Sequence, residues 1–292
     1  MEQNPMIKGE INALVATIKK HANEYYNKGE SSISDEEFDN LVLRLQRLSP
    51  GHPQLKKIGS DPLPGTIKIT HRFPMQSLDK ATTNEEIHHF LFSTVGEIQC
   101  CLIQPKFDGS ALSLEYRSGR LYQAATRGSG ERGEDVTANA RKISDLPETL
   151  SSPVDIVVRG EVIMPLSRFM NTYQKNSPNP RNLAAGALRQ KKGDGTAKPE
   201  HLVFRAYDVQ CFPSSEQRSE SVPSLISSSD SEYLEWLDAL GFVCAPWTVH
   251  RNTTPSELFE SVIEATKKWS KLRPNYEFEI DGLVLKVDNH QL

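Results

Sequence analysis

The stretch IQCCLIQPKFDGSALSLEYRSGRLYQAAT, residues 98–126, decides the fold of this chain. It begins with an apolar run, and Ala111–Tyr116 then alternates between apolar and polar side chains, as in a strand with one buried face. Ser118-Gly119 supplies a tight turn, after which Arg120–Thr126 returns as the second arm of a hairpin. The stretch therefore predicts an antiparallel sheet.

Further elements are predicted on the C-terminal side of this hairpin. Glu134–Ile143 fits a helix, and Val154–Met164 and Val203–Val209 fit strands. Tyr276–Val287 fits a strand pair around Asp281-Gly282. These elements extend the antiparallel region almost to residue 292.

Two helices are predicted between the last two strand regions. The first ends at Gly241, a residue suited to a helix C-cap, and the second begins at Thr254, where Glu257 completes a capping box. The serine-rich residues 212–231 that precede them predict a solvated insertion.

The N-terminal region has the spacing of two further helices. Apolar residues recur every three or four positions between residues 8 and 27, which predicts one amphipathic helix. A second helix is predicted to begin at Ser34, where Ser34–Glu37 has the capping-box form S-x-x-E, and to end at Pro50-Gly51. The two form a helical hairpin.

Length and composition set the frame for these elements. A chain of 292 residues predicts about two domains, which we place at residues 1–70 (helical) and 71–292 (mostly antiparallel), giving an α+β fold. No run approaches the ~20 apolar residues of a membrane span. The formal net charge of −4 argues against a polybasic nucleic-acid binder, and four cysteines without a CxxC pair argue against a zinc ribbon and fit a reducing cytoplasm.

Lys106-Phe107-Asp108-Gly109 is a candidate nucleophile motif. A lysine at a strand end can attack when burial or neighbouring cations lower its pKa, and the glycine permits a close approach by another group. The alternative is a surface lysine in a tight turn. Gly128–Gly133 matches G-x-G-x-x-G, which is compatible with a dinucleotide-binding loop or with a plain glycine-rich loop.

Several charged residues in apolar or small-residue surroundings suggest anion chemistry. Arg181 and Arg189 bracket a stretch of small residues and suit fixed phosphate contacts. An ordinary pair of solvated arginines would show the same sequence pattern. Glu161 and Lys286 each stand in an apolar strand, where a charge needs a partner or a ligand unless the strand is an edge. Together these residues suit phosphoryl transfer.

Motifs along the chain resemble a known superfamily. Lys106-x-Asp108-Gly109, Arg159-Gly160-Glu161 and Asp281–Lys286 resemble motifs I, III and IV of the covalent nucleotidyltransferases, which include DNA ligases, RNA ligases and mRNA-capping enzymes. Thr126–Asn139 and Asn179–Gln190 more narrowly resemble NAD-dependent DNA ligases. The N-terminal helices, with Tyr25-Tyr26 and Asp35-x-Glu37-Phe38-Asp39, resemble the helical domain of that branch, which binds the nicotinamide mononucleotide (NMN) half of NAD.

The resemblance implies an ATP-grasp-like ligase domain and a mechanism. Lys106 would attack the α-phosphorus of NAD, release NMN and leave a lysine adenylate, with Asp108 holding or deprotonating the lysine. Glu161 is the family position for ribose or Mg²⁺, and Tyr207 is the position that stacks on adenine. The other implied nucleotide contacts are Ser77, Leu78, Gln104, Arg127, Arg181, Arg189 and Lys286. The implied NMN contacts are Tyr25, Tyr26, Asp35 and Asp39.

The chain also departs from the family pattern. Gln104 replaces a glutamate that accepts from the adenine amino group, Phe38 replaces a tyrosine, and Ser129 replaces an aspartate. The chain reaches only six residues beyond Lys286, so we expect motif V, the OB-fold and the later DNA-binding domains to be absent. We accordingly expect NAD and Mg²⁺ but no zinc, nicked DNA as a partner of the full-length enzyme only, a monomer, and no membrane association.

Three alternatives remain open at this point. The ATP-dependent branch of the superfamily is one, and the tyrosine-bearing N-terminal arm argues against it. A Rossmann oxidoreductase using Gly128–Gly133 is the second, and it would leave Lys106 without a role. An inactive NAD-binding module is the third.

Overall fold

The structure is a computed structural model that describes residues 5–24, 32–33, 35–56, 66–94, 100–175, 177, 179–191, 195–213, 229–251 and 254–288. Its helices are α1 (Pro5–Asn23), α2 (Asp35–Leu48), α3 (Asn84–His89), α4 (Thr137–Ala140), α5 (Leu166–Arg168), α6 (Pro180–Arg189), α7 (Asp230–Leu240) and α8 (Pro255–Leu272). Its strands are β1 (Lys68–Thr70), β2 (Cys100–Phe107), β3 (Ser110–Arg117), β4 (Arg120–Thr126), β5 (Arg132–Glu134), β6 (Ile156–Ile163), β7 (Val203–Cys211), β8 (Thr248–Arg251) and β9 (Ile280–Val287).

The chain divides into two units. The first comprises Met1–Ser77 together with Ala125–Asp135, and the second comprises Leu78–Ala124 together with Val136–Leu292. The division groups a glycine-rich loop from the middle of the chain with the N-terminal residues. The domain boundary predicted at residue 70 therefore stays a prediction.

Helices α1 and α2 of the first unit pack through an apolar stripe on each. Ile11, Leu14 and Ile18 recur at three- and four-residue spacing on α1 and are buried, and Leu45 of α2 is fully buried with them. The two predicted N-terminal helices are confirmed. The predicted cap residue Ser34 lies outside the described residues.

The glycine-rich loop of the first unit connects two strands. It follows β4 and leads into β5, which pairs antiparallel with β1. The Met75 N–H donates to Gly130 O at 2.8 Å. Gly128 has φ 56°, and a Cβ there would lie 1.9 Å from Arg132 O, so the turn requires glycine. Because a strand rather than a long helix follows the loop, it lacks the strand–loop–helix setting of a Rossmann fingerprint.

Two sheets form the frame of the second unit. Their strand orders are β8-β2-β9 and β4-β3-β6-β7. The pairings of β2 with β8 and β9, and of β6 with β3 and β7, are antiparallel. Ser118 and Gly119 have φ angles of 47° and 71°, the left-handed pair that a tight hairpin turn needs. The predicted antiparallel sheet and α+β class are confirmed.

Strand β2 faces two different cores. Cys101 and Ile103 are buried with Leu258 of α8, whereas Leu102 is buried in the core of the four-stranded sheet. Successive strand residues point to opposite faces. Gln104 and Lys106 therefore share the face of Leu102, toward the four-stranded sheet.

Two predicted elements are wrong in detail. Tyr276–Val287 is not a strand pair, because the single strand β9 satisfies its hydrogen bonds with β2. The helix predicted over Glu134–Ile143 is reduced to the short α4. Glu134 instead belongs to β5, and its N–H donates to Thr126 Oγ1 at 3.0 Å.

The helices predicted near the C-terminal end of the chain are confirmed as α7 and α8. Gly241 caps α7 with φ 104°, and Thr254 and Glu257 form the predicted capping box of α8. Most of the serine-rich segment predicted as a solvated insertion, residues 214–228, lies outside the described part of the chain. No helix among the described residues is long and apolar enough to cross a membrane.

Gly160 provides a test of the β6–β7 packing. A Cβ at Gly160 would lie 2.2 Å from Phe204 Cζ, so we expect Gly160→Ala to lower the free energy of unfolding by about 1–3 kcal/mol. Gly186→Ala is the matched control, because its Cβ meets nothing within 4 Å and alanine favours helix α6. Urea unfolding followed by tryptophan fluorescence reports on the second unit, which contains all three tryptophans. Equal midpoints for the two variants would contradict the packing.

Candidate active site

Lys106 stands at the end of β2, where pairing with β9 is irregular. Lys106 is opposite Gly282, but the next residue, Phe107, is opposite Ile280, so Asp281 is an extra residue in β9. Such a bulge re-aims a side chain, and Asp281 Oδ2 accepts a hydrogen bond from Lys106 Nζ at 2.5 Å. The Lys106 side chain is 47% exposed. Its amine is thus held in place and still accessible to a ligand.

Asp108-Gly109 connects β2 to β3 beside Lys106. The Asp108 carboxylate accepts a short hydrogen bond from Nη1 of Arg181. A Cβ at Gly109 would lie 2.3 Å from Val162 O and 2.9 Å from Glu161 Cγ. Glycine therefore allows β6, with Glu161, to approach this turn closely.

Glu161 faces the same group of charges from β6. Burial raises the pKa of its carboxyl from 4.5 to about 8, and the nearby cations Arg181 and Lys106 oppose that rise. The carboxylates of Asp108 and Asp281 raise the pKa further. Lys106, Asp108, Glu161, Arg181 and Asp281 are therefore close enough to influence one another electrostatically.

Helix α6 carries both predicted arginines but places only one of them here. The Asn179 side chain caps the helix by accepting from the Asn182 N–H, and Pro180 follows the cap, so Arg181 lies in the first turn. Arg189 lies in the last turn, about 12 Å further along the axis, and its Nε donates to Ala185 O at 3.1 Å. Its predicted charge support stays a prediction.

Lys286 of β9 lies opposite Leu102, on the same face of the sheet as Lys106. Its Nζ donates to the carbonyl oxygen of Tyr207 at 2.9 Å and lies 3.5 Å from Asp230 Oδ1. Tyr207 is an extra residue of β7, because its neighbours Asp208 and Ala206 pair with consecutive residues of β6. This second bulge brings a backbone carbonyl to the lysine.

Gln104 lies between Lys286 and Lys106 on this face. It is 2% exposed, and its Nε2 lies 3.5 Å from the carbonyl oxygen of Ala245. Tyr207 is half-buried beside the cluster that contains Phe107 and Ile280. The structure thus places both predicted adenine contacts in the second unit, and their roles stay predictions.

Arg127 belongs to the first unit, as does Ser77. Arg127 Nη2 donates to Ser77 Oγ at 3.1 Å. Its Nε is buried and has no hydrogen-bond partner among the described residues. Since a buried guanidinium N–H without an acceptor is costly, this atom suits an anionic ligand.

The remaining predicted contacts are less defined. Leu78 is 60% exposed in the second unit. Asp35 and Asp39 lie on α2, where only their backbone is described, and Tyr25 and Tyr26 lie outside the described residues. The predicted NMN contacts therefore stay predictions.

Two family models match this chain. Residues 65–292 match the family model of the NAD-dependent DNA ligase adenylation domain, and residues 4–62 match that of the DNA ligase-like N-terminal NAD⁺-binding domain. The chain belongs to the NAD-dependent DNA ligase adenylation-domain family. The family resemblance predicted from the sequence motifs is confirmed.

Individual relatives cover the chain to different extents. A DNA ligase of Clostridioides difficile (strain 630) is 35% identical over 300 aligned positions, which include 97% of this chain and 42% of that protein. The chain thus spans less than half the length of this curated relative. Among solved structures, an archaeal ATP-dependent RNA ligase is 16% identical, with a TM-score of 0.42 over 74% of this chain and 46% of that one. The ATP-dependent DNA ligase of bacteriophage T7 in complex with ATP is 11% identical, with a TM-score of 0.37 over 74% of this chain and 63% of that one.

The sequence alone does not identify two carboxylates of this candidate site as partners of its lysines. The sequence predicts Asp281 in a turn between two strands, and its contact with Lys106 follows from the register of β2 with β9. Asp230 begins α7, far from Lys286 along the chain. The local sequence marks Asp230 as an acidic residue at the start of a capped helix, but this pattern does not indicate a partner far along the chain.

The described residues contain no cluster of three or more histidine, cysteine or acidic side chains arranged to hold a metal. This does not conflict with Mg²⁺, which commonly takes one or two carboxylates together with substrate phosphates. Glu161 is the carboxylate that fits that description. Mg²⁺ binding stays a prediction.

The raised pKa of Glu161 has a consequence for stability. A carboxyl whose folded pKa lies above its unfolded value binds its proton more tightly when folded, so its contribution to stability is lost as pH rises from 4.5 toward 8. Glu161→Gln removes that dependence. We expect the stability of the variant relative to wild type to increase between pH 5.5 and pH 8.5.

Urea unfolding by tryptophan fluorescence at the two pH values, without divalent metal, measures this difference. Glu235→Gln, the same charge change at an exposed position of α7, serves as the control. A pH-independent difference between Glu161→Gln and wild type would show that Glu161 is ionised throughout this range.

Proposed function

We propose that this chain carries out the NAD-consuming step of an NAD-dependent DNA ligase. Lys106 Nζ attacks the α-phosphorus of NAD, a nitrogen–phosphorus bond forms, and the phosphoanhydride bond to NMN breaks. The lysine gives up a proton, NMN leaves with the bridging oxygen, and AMP stays on Lys106. Nick sealing in DNA would use this intermediate.

One observation carries this proposal. In a chain of this family, a half-exposed lysine, Lys106, stands at a strand end with its Nζ 2.5 Å from the Asp281 carboxylate. Glu161 and the Asp108–Arg181 pair lie beside it. A nucleophilic lysine needs a nearby acceptor for its proton and cations for the phosphate it attacks. Both are present around Lys106.

The geometry favours Asp281 as the group that positions Lys106 and accepts its proton. Its carboxylate is the hydrogen-bond acceptor of the Lys106 ammonium, whereas the Asp108 carboxylate is engaged by Arg181. In this proposal Asp108 fixes Arg181 for the phosphate and acts on the lysine only indirectly. This assignment differs from the role that the resemblance implied for Asp108.

Different residues are proposed to bind the phosphates and the adenine base. Lys286, Arg181 and Arg127 neutralise phosphate charge, and Arg189 supports them. Gln104 and Tyr207 bind adenine, with the amide oxygen of Gln104 as an uncharged acceptor. Mg²⁺, held by Glu161 and the substrate, would further neutralise the phosphates.

The first unit would bind the NMN half of NAD. Its family match to an N-terminal NAD⁺-binding domain supports this. The residues we assign to NMN are Tyr25, Tyr26, Asp35 and Asp39, and Ser77 and Leu78 we assign to the nucleotide. We further infer a monomer that acts in the cytoplasm, in keeping with four free cysteines.

Intact-mass measurement after incubation with NAD and Mg²⁺ tests the proposal. We expect one adenylyl group to be added from NAD and none from ATP. Lys106→Ala abolishes the addition because it removes the nucleophile. Lys142→Ala, an exposed lysine of the same unit, should be labelled like wild type.

The other outcomes identify the alternatives. Labelling from ATP would favour the ATP-dependent branch, and hydride exchange on NAD would favour an oxidoreductase. Binding of NAD without labelling would indicate an inactive NAD-binding module. Labelling of Lys106→Ala would place the nucleophile elsewhere.

A further inference from the structure

The start of α7 is fixed to the end of β9 by a buried carboxylate. The side chain of Asp288 has no exposed surface, and its two oxygens accept from the Ser231 N–H at 2.8 Å and the Ser231 hydroxyl at 2.7 Å. A carboxylate at a helix N-terminus is favoured by the helix dipole and by the free N–H groups there. Ser229 caps the same turn. The first turn of α7 is therefore anchored independently of Lys286.

Asp230 lies within this anchored turn and reaches the lysine. Its Oδ1 is 3.5 Å from Lys286 Nζ, and both side chains are about one-fifth exposed. The Tyr207 carbonyl accepts from the same ammonium at 2.9 Å. An ammonium has three N–H donors. The Tyr207 carbonyl uses one of them and Asp230 holds the head group by ion pairing, so the ammonium can still donate to a ligand on the Lys106 face.

Holding this lysine in advance has a physical advantage. Lys286 is opposite Leu102, four residues along β2 from Lys106, which corresponds to about 13 Å. A free lysine side chain samples many rotamers, and fixing it in one of them costs conformational entropy. When Asp230 and the Tyr207 carbonyl already hold the ammonium, much of this entropy is lost on folding and is not lost again when the substrate binds.

We propose that Asp230 is a positioning residue for Lys286. It acts through the lysine, holding the ammonium where it meets the developing phosphate charge during transfer of AMP to Lys106. This inference rests on the proposed function. In this arrangement α7, which contains none of the family motifs, sets the position of Lys286.

The rate of adenylation of Lys106 at saturating NAD measures this role. We expect Asp230→Asn to lower that rate about tenfold while the NAD concentration for half-maximal rate stays within about twofold, because the contact matters in the transition state. Asp230→Glu keeps the charge and should recover much of the rate. Glu235→Gln, the same charge change at an exposed position of α7, should match wild type.

A double-mutant cycle separates positioning from a structural effect. Lys286→Met removes the ammonium and keeps most of the stem, and adding Asp230→Asn to it should slow the reaction no further. Urea unfolding by tryptophan fluorescence gives the folded fraction of each variant, to which its rate is normalised. Calorimetric titration of NAD into Lys106→Ala chains with and without Asp230→Asn should give affinities within about twofold of each other.

The possible results are distinguishable. A wild-type chain that NAD does not label would overturn the proposed function and this inference together. If NAD labels the wild-type chain, but Asp230→Asn slows the reaction equally with Lys286 and with Lys286→Met, this inference alone is overturned. An unchanged or faster Asp230→Asn variant would also overturn it, since Asp230 would then be neutral or would restrain the lysine.

Discussion

The bulged pairing of β2 with β9 is the constraint on which the candidate site depends. A regular antiparallel ladder would place Asp281 on the opposite face from Gly282, away from Lys106. The register shift between Lys106 and Phe107 inserts Asp281 as an extra residue, and its carboxylate then reaches the Lys106 amine. On the regular side of the bulge, the ladder keeps Lys286 on the Lys106 face. The bulge at Asp281 thus gives Lys106 its carboxylate partner and leaves the rest of the β2–β9 pairing regular.

Close backbone approach makes the rest of the site compact. Gly109 has no room for a Cβ beside Glu161 and Val162, and so it lets β6 bring a carboxyl to the charges around Lys106. Three acidic groups then share a small volume with Lys106 and Arg181. Burial disfavours ionisation of Glu161, which raises its pKa to about 8. A bound cation would reverse that preference, and this links Glu161 to the charge of whatever occupies the site.

Local patterns in the sequence predicted much of the fold, and they pointed to several residues that the structure brings together in the candidate site. The alternation in residues 98–126, the helical spacing at Ile11 and Leu14, and the capping box at Thr254 each act over a few residues, and each is confirmed. The prediction failed where long-range pairing overrides a local signal. Asp281-Gly282 has the composition of a turn, yet β2 supplies a partner along the whole of β9. No local pattern could connect Asp230 with Lys286, because their contact requires α7 and β9 to be placed side by side by the tertiary fold.

The charge pairs also show how a chain of net negative charge holds several cations in one candidate site. Each central cation of the second unit has a carboxylate partner: Lys106 has Asp281, Arg181 has Asp108, and Lys286 has Asp230. Because the partners are distinct, each cation is oriented separately, and the acids contribute to the net charge of −4. These ion pairs are only partly buried, so solvent weakens them and a phosphate can compete for the cation. The net charge therefore says little about the local field, which depends on how each carboxylate directs its own cation.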